Sequence, residues 1–161
     1  MSGESELRID DEVSAAEREA VLKGLRAFNE SKIGPANDQP VELVVRDSDG
    51  VVIGGLLGNT KWGWLYVDKL WISDAARGRG IGSRLLVRAE EIARERGCVG
   101  AFLSTFEHQA RPFYEARGYQ LFGTLDGFPA ATRQFYLCKP FASPTQNEVM
   151  AEPLTHFHRD E

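Results

Sequence analysis

The chain has 161 residues, 42% of them hydrophobic and 10% aromatic, which predicts one domain with a packed core rather than a disordered chain. Its formal net charge of −5 argues against a general affinity for nucleic acid, because such binding needs a basic face. No apolar run approaches the ~18 residues of a membrane span, and the acidic N-terminus lacks the order of a signal peptide, so a cytoplasmic protein without membrane contact is expected.

The first third of the chain is predicted to contain a short strand, a helix and a hairpin. Residues 7–10 alternate in polarity, and residues 14–32 have apolar side chains at helical spacing behind the capping pair Ser14 and Glu17. Residues 41–58 then have the pattern of two strands. The Asp-Ser-Asp-Gly sequence between them suits a hairpin turn.

Strands and helices alternate in the rest of the chain. A long aromatic strand is predicted over residues 61–73, followed by a glycine-rich turn, a helix that ends at Gly97, and a buried strand over 99–105. A short helix that ends at Gly118 and two closing strands follow. The sequence therefore predicts a single mixed α/β domain over residues 1–141, with a mobile or partner-binding tail over 142–161.

The glycine-rich turn, Arg-Gly-Arg-Gly-Ile-Gly-Ser from Arg77 onward, joins the long strand to the next helix. A helix N-terminus exposes unpaired N–H groups and a partial positive charge, which suit a phosphate. Gly78, Gly80 and Gly82 let the backbone approach a ligand closely, and Arg79 adds a second fixed positive charge. The turn therefore predicts a pyrophosphate cradle, with a solvated surface turn as the alternative.

Two other phosphate motifs fit this turn less well. A P-loop is excluded because no Gly-Lys-Ser/Thr follows the glycines. The dinucleotide fingerprint is nearly satisfied, with Ser83 in the place of its third glycine, but too few strand-helix pairs follow for a doubly wound sheet.

Two segments resemble the signatures of the GNAT superfamily of N-acetyltransferases. Residues 77–82 fit its acyl-CoA signature, Arg/Gln-x-x-Gly-x-Gly/Ala. Residues 110–123 are similar to its second signature, Ala-x-x-Phe-Tyr-x-x-x-Gly-Phe/Tyr. The resemblance covers roughly residues 41–140, and it departs from the family at Glu107, where many relatives carry Asn.

The resemblance implies an open, mostly antiparallel mixed sheet with helices on both faces, in which a central parallel pair of strands splays apart to admit acetyl-CoA. Backbone groups of Leu70, Trp71 and Ile72 would hydrogen-bond the pantetheine arm and polarise the thioester carbonyl. The diphosphate would be held by a cradle of seven residues: Arg77, Gly78, Arg79, Gly80, Ile81, Gly82 and Ser83.

Tyr114 is the candidate general acid, by its match to the Phe-Tyr of the second signature. A phenol with a pKa near ~10 stays protonated at neutral pH and can donate to a departing thiolate.

The candidate base is Asp68, the one carboxylate between residues 61 and 73. Strand alternation places it on the face of Tyr66, Leu70 and Ile72. A purely structural Asp68 is an equal alternative, and Glu107 or a water relay is a further one.

The expected activity is direct transfer of an acetyl group from acetyl-CoA to a primary amine of a small molecule or peptide. The alternatives are a catalytically silent CoA-binding module of the same fold and a dinucleotide-binding oxidoreductase. No metal is expected, because Cys98 and Cys138 have no metal-site spacing, and His156 and His158 lie in the tail. A homodimer is left open, and the acidic N-terminal third favours a cationic acceptor.

Overall fold

The computed structural model describes residues 7–142. The chain divides between Ala36 and Asn37 into two compact units. The predicted tail, residues 142–161, lies outside the described residues except for its first position.

The described part of the first unit, residues 7–36, contains one helix, α1 (Ala15–Ile33). Ser14 caps it, because its hydroxyl accepts from the backbone N–H of Glu17, while the Glu17 carboxylate accepts from the backbone N–H of Ser14 at 2.8 Å. The predicted capping box is thus confirmed. The strand predicted for residues 7–10 is wrong, because those residues are not extended into any strand of the described chain.

The second unit is a six-stranded sheet in the spatial order β1-β2-β3-β4-β6-β5. Within it β3 and β4 are parallel, and the other neighbouring strands are antiparallel. Helix α2 connects β3 to β4 and helix α3 connects β4 to β5, which confirms the predicted mixed α/β class. The bounds are β1 Gln39–Arg46, β2 Val52–Lys61, β3 Trp64–Ile72, α2 Ile81–Glu95, β4 Gly100–Phe106, α3 Arg111–Glu115, β5 Gln120–Phe128 and β6 Thr132–Pro140.

A tight turn at Trp62 and Gly63 separates β2 from β3. Both residues have positive φ, 45° and 77°, and Lys61 pairs with Trp64 across the turn. Two central residues with positive φ match the twist of a two-residue hairpin. The prediction of one strand over residues 61–73 is therefore wrong at its start, because Trp62 and Gly63 form the turn between β2 and β3.

The core lies between α2 and the sheet. Leu86, Ala89 and Ala93 of α2 are at most 1% exposed, as are Leu65 of β3 and Leu137 of β6. The amphipathic pattern predicted for the second helix is thus used to bury one face against the strands.

The parallel strands β3 and β4 contact each other along only part of their length. Trp64–Val67 of β3 pair with Gly100–Leu103 of β4, and we call these eight residues the paired segment. Beyond it β3 continues to Ile72 along β2, and β4 continues to Phe106 along β6. Residues 68–72 and 104–106, which have no pairing with each other, form the parted segment.

A β-bulge lies at the point where the two strands part. Leu57 of β2 pairs with Lys69, and the next residue, Gly58, pairs with Val67, so Asp68 is an extra residue without a partner in the ladder.

The bulge changes which side chains of β3 face the core. Leu70 and Ile72 pack against the same core as buried Val67, whereas Asp68 and Tyr66 are hydrogen-bonded to each other, which puts them on one face. The prediction that Asp68 shares a face with Leu70 and Ile72 is therefore wrong. Strict alternation fails here because one residue is inserted.

Candidate active site

A cavity of about 950 Å³ occupies the space between the parted strands. It extends from the N-terminus of α2 to α3, so one continuous space touches both segments that carry the family signatures. Its lining comprises residues 67–72, Ala76, Arg77, Gly78, Gly80, Ile81, Gly82, Ser83, Ser104, Thr105, His108, Gln109, Ala110, Phe113, Tyr114 and Arg117.

The first turn of α2 presents backbone donors to this cavity. Gly80 is the N-cap in a left-handed conformation (φ 72°), and no side chain caps the helix. The first helical bond runs from the N–H of Arg84 to the carbonyl of Gly80, so the preceding N–H groups have no partner within the helix. These groups can hold an anion.

The glycines before α2 are required by the backbone and leave room for a ligand. Gly78 and Gly80 have φ of 75° and 72°, which side-chain-bearing residues rarely adopt. A Cβ added at either position would meet no protein atom within 4 Å. At Gly82 a Cβ would instead press against the ring of Phe113 at 3.3 Å, so this glycine lets α2 and α3 approach.

The two predicted cradle arginines are placed differently. Arg77 lines the cavity and forms an exposed ion pair with Asp74 at 3.0 Å. Arg79 is exposed and is not part of the lining. Of the two arginines, Arg77 therefore contributes its positive charge to the cavity, and the carboxylate of Asp74 partly neutralises that charge.

Backbone groups of β3 face the cavity at alternate residues. The N–H of Ser73 donates to the carbonyl of Ile53 on β2 at 2.9 Å. An antiparallel ladder bonds every second residue to the same neighbour, so the backbone groups of Trp71 also face β2. Those of Leu70 and Ile72 are directed to the other side, where β4 has departed.

Tyr114 is 7% exposed and lines the cavity. Burial raises the pKa of its phenol above the ordinary value, which keeps it protonated at neutral pH. Its ring packs edge-on against Phe113 and Tyr119, with ring centres 5.1 and 5.8 Å away. These contacts fix the position of the phenol at the cavity wall.

Asp68, on β3, also lines the cavity. Its carboxylate accepts from the Tyr66 hydroxyl at 3.2 Å and from the Lys69 ammonium at 2.6 Å. The hydrogen bond from Lys69 holds the pKa of this half-exposed carboxyl below its ordinary value. Asp68 is therefore ionised at neutral pH, but it is a weak proton acceptor.

Glu107, the second candidate base, is not part of the lining. It accepts from the guanidinium of Arg133 on β6 at 3.2 Å, and this partner lowers the pKa of its carboxyl. His108, by contrast, lines the cavity and stacks on Phe106 at 5.6 Å between ring centres.

Several lining residues were missed by the sequence reasoning. Ser104 and Thr105 lie on the parted end of β4, and the Gln109 amide oxygen accepts from the Phe106 N–H at 2.7 Å, closing the end of that strand. Arg117 follows α3. The sequence marks none of them, because their positions depend on how far β3 and β4 remain paired and on the approach of α3 to α2.

Within residues 7–142 no group of three or more metal-ligating side chains is found. No helix in that part of the chain has the length and apolar character to cross a bilayer. His156 and His158 lie outside the described residues.

The acetyltransferase (GNAT) family model matches residues 7–119, and the chain belongs to this family. It is accordingly an acyltransferase of a family whose donor is acetyl-CoA. Membership of this family argues against both alternatives, a dinucleotide-binding oxidoreductase and a catalytically silent CoA-binding module.

Acetyltransferase Atu2258 of Agrobacterium fabrum is 36% identical over 133 residues, covering 83% of this chain and 97% of the relative. Blasticidin-S acetyltransferase of Streptomyces morookaense is 44% identical over 91 residues, covering 56% of this chain and 67% of the relative. Among solved structures, an acetyltransferase from Agrobacterium tumefaciens has a TM-score of 0.76 at 35% identity, covering 85% of this chain and 100% of the other.

Proposed function

We propose that this protein transfers the acetyl group of acetyl-CoA directly to a primary amine of a small molecule. One observation carries the proposal: a single cavity between parted strands joins free helix N–H groups at one end to the phenol of Tyr114. The first feature suits the phosphates of the donor, and the second suits its sulfur.

The residues present fit coenzyme A. At the helix end the glycines at 78 and 80 leave open space, and the N–H groups of Ile81, Gly82 and Ser83 have no helical acceptor. The wall beside them is apolar, with Ile81 and Phe113 among its side chains. Ile81, Gly82 and Ser83, with Gly78, Gly80 and Arg77, would hold the diphosphate, whereas exposed Arg79 would contribute through its charge alone.

Acetyl-CoA supplies an acetyl group activated as a thioester. Backbone N–H groups of Leu70 and Ile72, which lack a partner on β4, are placed to donate to the thioester carbonyl. Trp71 also lines the cavity, but its backbone groups face β2 and are not available to the thioester. Tyr114 then donates its proton to the departing sulfur, because burial keeps the phenol in its acid form.

Asp68 is the carboxylate that faces the acceptor in this proposal. Its low pKa disfavours direct proton removal from an ammonium group, but its negative charge attracts one. We assign it the role of drawing a cationic amine into the cavity, where the ammonium group loses its proton to water before attack. Glu107 is bound to Arg133 and is a weaker choice for this role.

The acceptor is proposed to be a cationic small molecule of the antibiotic kind. The name of the relative that is 44% identical over 91 residues supports this choice, and so does the carboxylate on the acceptor-facing wall. Blasticidin S is therefore the first acceptor to try. Polyamines and short peptides provide the comparison. The proposed site of action is the cytoplasm.

Gly80→Val tests the donor site directly. Its side chain would occupy the open space beside the helix N–H groups, so the affinity for coenzyme A is expected to fall by at least ~10-fold in a calorimetric titration. Gly127→Val is the matched control, because Gly127 also has positive φ (88°) and open space around its Cβ position but lies outside the cavity.

Unchanged coenzyme A affinity in a folded Gly80→Val variant would contradict the proposed donor site. The acceptor is tested separately by following the release of free thiol from acetyl-CoA with a panel of amines that begins with blasticidin S. Release no faster than without amine, for every member, would contradict the choice of acceptor class.

A further inference from the structure

Arg117 is a positive charge at the cavity that neither family signature specifies. It follows α3, lines the cavity and is partly buried. Its guanidinium donates to the backbone carbonyl of Phe113 at 2.7 Å and stacks on the ring of the same residue at 3.7 Å. These contacts hold the side chain against the wall rather than in open solvent.

The second partner of Arg117 belongs to the predicted phosphate cradle. Its Nε donates to the Ser83 hydroxyl at 2.8 Å, and its Nη2 donates to the same oxygen. Ser83 stands in the first turn of α2, beside the free N–H groups. Because two guanidinium N–H groups occupy the lone pairs of this hydroxyl, its own hydrogen is directed away from Arg117 and is available to another acceptor.

The charge of Arg117 is not neutralised by the part of the chain that the structure describes. Its partners there are a hydroxyl and a carbonyl, and it takes part in none of the ion pairs found among residues 7–142. Arg77, by comparison, has Asp74. A partly buried guanidinium without a counter-ion at a cavity wall favours an anionic ligand in that cavity.

We infer that Arg117, together with the Ser83 hydroxyl, binds a phosphate oxyanion of the donor. This inference rests on the proposed function and adds a positive charge that reaches the cavity from α3, in the place where the sequence suggested Arg79. It also ties the phosphate end of the site to the helix that carries Tyr114, since Arg117 contacts Phe113 on that helix.

The test compares donors that do and do not carry phosphate. For Arg117→Gln, kcat/KM with acetyl-CoA falls by about 10- to 100-fold, which is the loss expected from removing a charge-assisted hydrogen bond. With acetyl-pantetheine, which carries no phosphate, parent and variant differ by less than about 2-fold. Arg117→Lys, which keeps the charge, recovers part of the loss.

Acetyl-dephospho-CoA separates the two phosphate sources of the donor. If the difference between parent and Arg117→Gln persists with this compound, the contact is to the diphosphate. If the difference disappears, the contact is to the 3′-phosphate. Both results support the inference. Arg88→Gln, at an arginine of α2 paired with Glu91 and Glu95, is the control and leaves all three donors unaffected.

If kcat/KM falls equally with acetyl-CoA and acetyl-pantetheine in both Arg117 variants, Arg117 has only a structural role in holding α2 and α3 together. If kcat/KM does not fall with either donor, Arg117 is not part of the site. Calorimetry of the parent with coenzyme A keeps the two levels apart. If the parent protein binds no coenzyme A, the proposed function itself is contradicted. If the parent binds coenzyme A and Arg117→Gln binds it equally well, only this inference is contradicted.

Discussion

The paired and the parted segments of β3 and β4 are parts of the same two strands with opposite properties. In the paired segment Leu65, Val67, Ala101 and Leu103 are at most 3% exposed. In the parted segment the facing edges are unpaired, and Trp71 is 54% exposed at the cavity. The ladder thus supplies stability over four residues of each strand, and its interruption supplies the site.

The difference has a local cause in β3. The bulge inserts one residue, Asp68, directly after the last position that pairs with β4, which reverses the faces of β3 beyond it and increases the twist of the strand. On the other side β4 stays in register with β6 as far as Phe106. The two strands therefore follow different neighbours, and a slot forms without any break in the backbone of either.

Replacing Tyr114 with Phe is expected to have the largest effect on the cavity beside the parted segment, without affecting the paired segment. Loss of the proton donor is expected to lower kcat by about 10²- to 10⁴-fold, while coenzyme A affinity stays within about 2-fold of the parent. Single-turnover kinetics and calorimetry measure the two quantities separately.

Tyr119→Phe is the matched control for that change, because its hydroxyl is bonded to Glu90 at 3.0 Å and does not reach the cavity. It is expected to affect stability rather than kcat. Equal rates for Tyr114→Phe and the parent would remove the phenol from the mechanism.

Glu90→Gln is expected to have the opposite effect to Tyr114→Phe, because it lowers the free energy of unfolding and leaves kcat unchanged. The buried Glu90 carboxylate accepts a hydrogen bond from the Lys139 ammonium at 2.8 Å. Lys139 lies on β6 and pairs with Ala101 of the paired segment. Removing one partner of a buried ion pair costs about 3 kcal/mol, to be measured by denaturant unfolding.

Glu91→Gln is the control for Glu90, because the neighbouring carboxylate is half-exposed and pairs with Arg88 at the surface. It is expected to cost less than about 0.5 kcal/mol. A similar small loss for Glu90→Gln would show that the Glu90 contacts do not stabilise this end of the sheet.

Gly58→Ala tests the bulge itself. A Cβ at Gly58 would overlap the carbonyl oxygen of Tyr66, so β2 and β3 cannot keep their present register around Asp68. The expected cost is about 2 kcal/mol of unfolding free energy, with a weaker affinity for coenzyme A because the slot begins at this point.

Gly123→Ala, whose Cβ would meet Tyr136 at an ordinary 3.6 Å, is the comparison for Gly58. It is expected to be nearly neutral. Unfolding free energies that are equal for the two variants would mean that the bulge tolerates a side chain on the facing strand.

The sequence predicted those features that depend on local chemistry. The Ser14 and Glu17 box, the glycine-bearing start of α2 and the short helix that carries Tyr114 all follow from short motifs. What failed depends on pairing between distant residues. The bulge exists because Leu57 pairs with Lys69 while Gly58 pairs with Val67, and the turn at Trp62 and Gly63 follows from the register in which β2 pairs with β3. Single-strand periodicity contains no information on such partners.

The cavity contacts of Arg117 were missed for the same reason. They depend on the approach of α3 to the first turn of α2, with Phe113 packed at the position of Gly82. The second signature places an aromatic pair on that helix, but it does not state which other side chain meets the cradle.

Asp68→Asn is expected to have the smallest effect on the parted segment. The lowered pKa leaves the carboxylate ionised at and above neutral pH, and its loss removes only an attraction for the amine, so kcat/KM for a cationic acceptor falls by about 10-fold or less. A group with a lowered pKa titrates below neutrality, so the activity profile between pH 6 and 9 follows the ionisation of the acceptor and has the same shape in parent and variant.

Lys69→Gln, which removes the partner of Asp68, is the control and leaves the shape of the pH profile unchanged as well. A parent profile with a limb near neutral pH that disappears in Asp68→Asn would instead make Asp68 a direct base, with its pKa raised by the bound substrates.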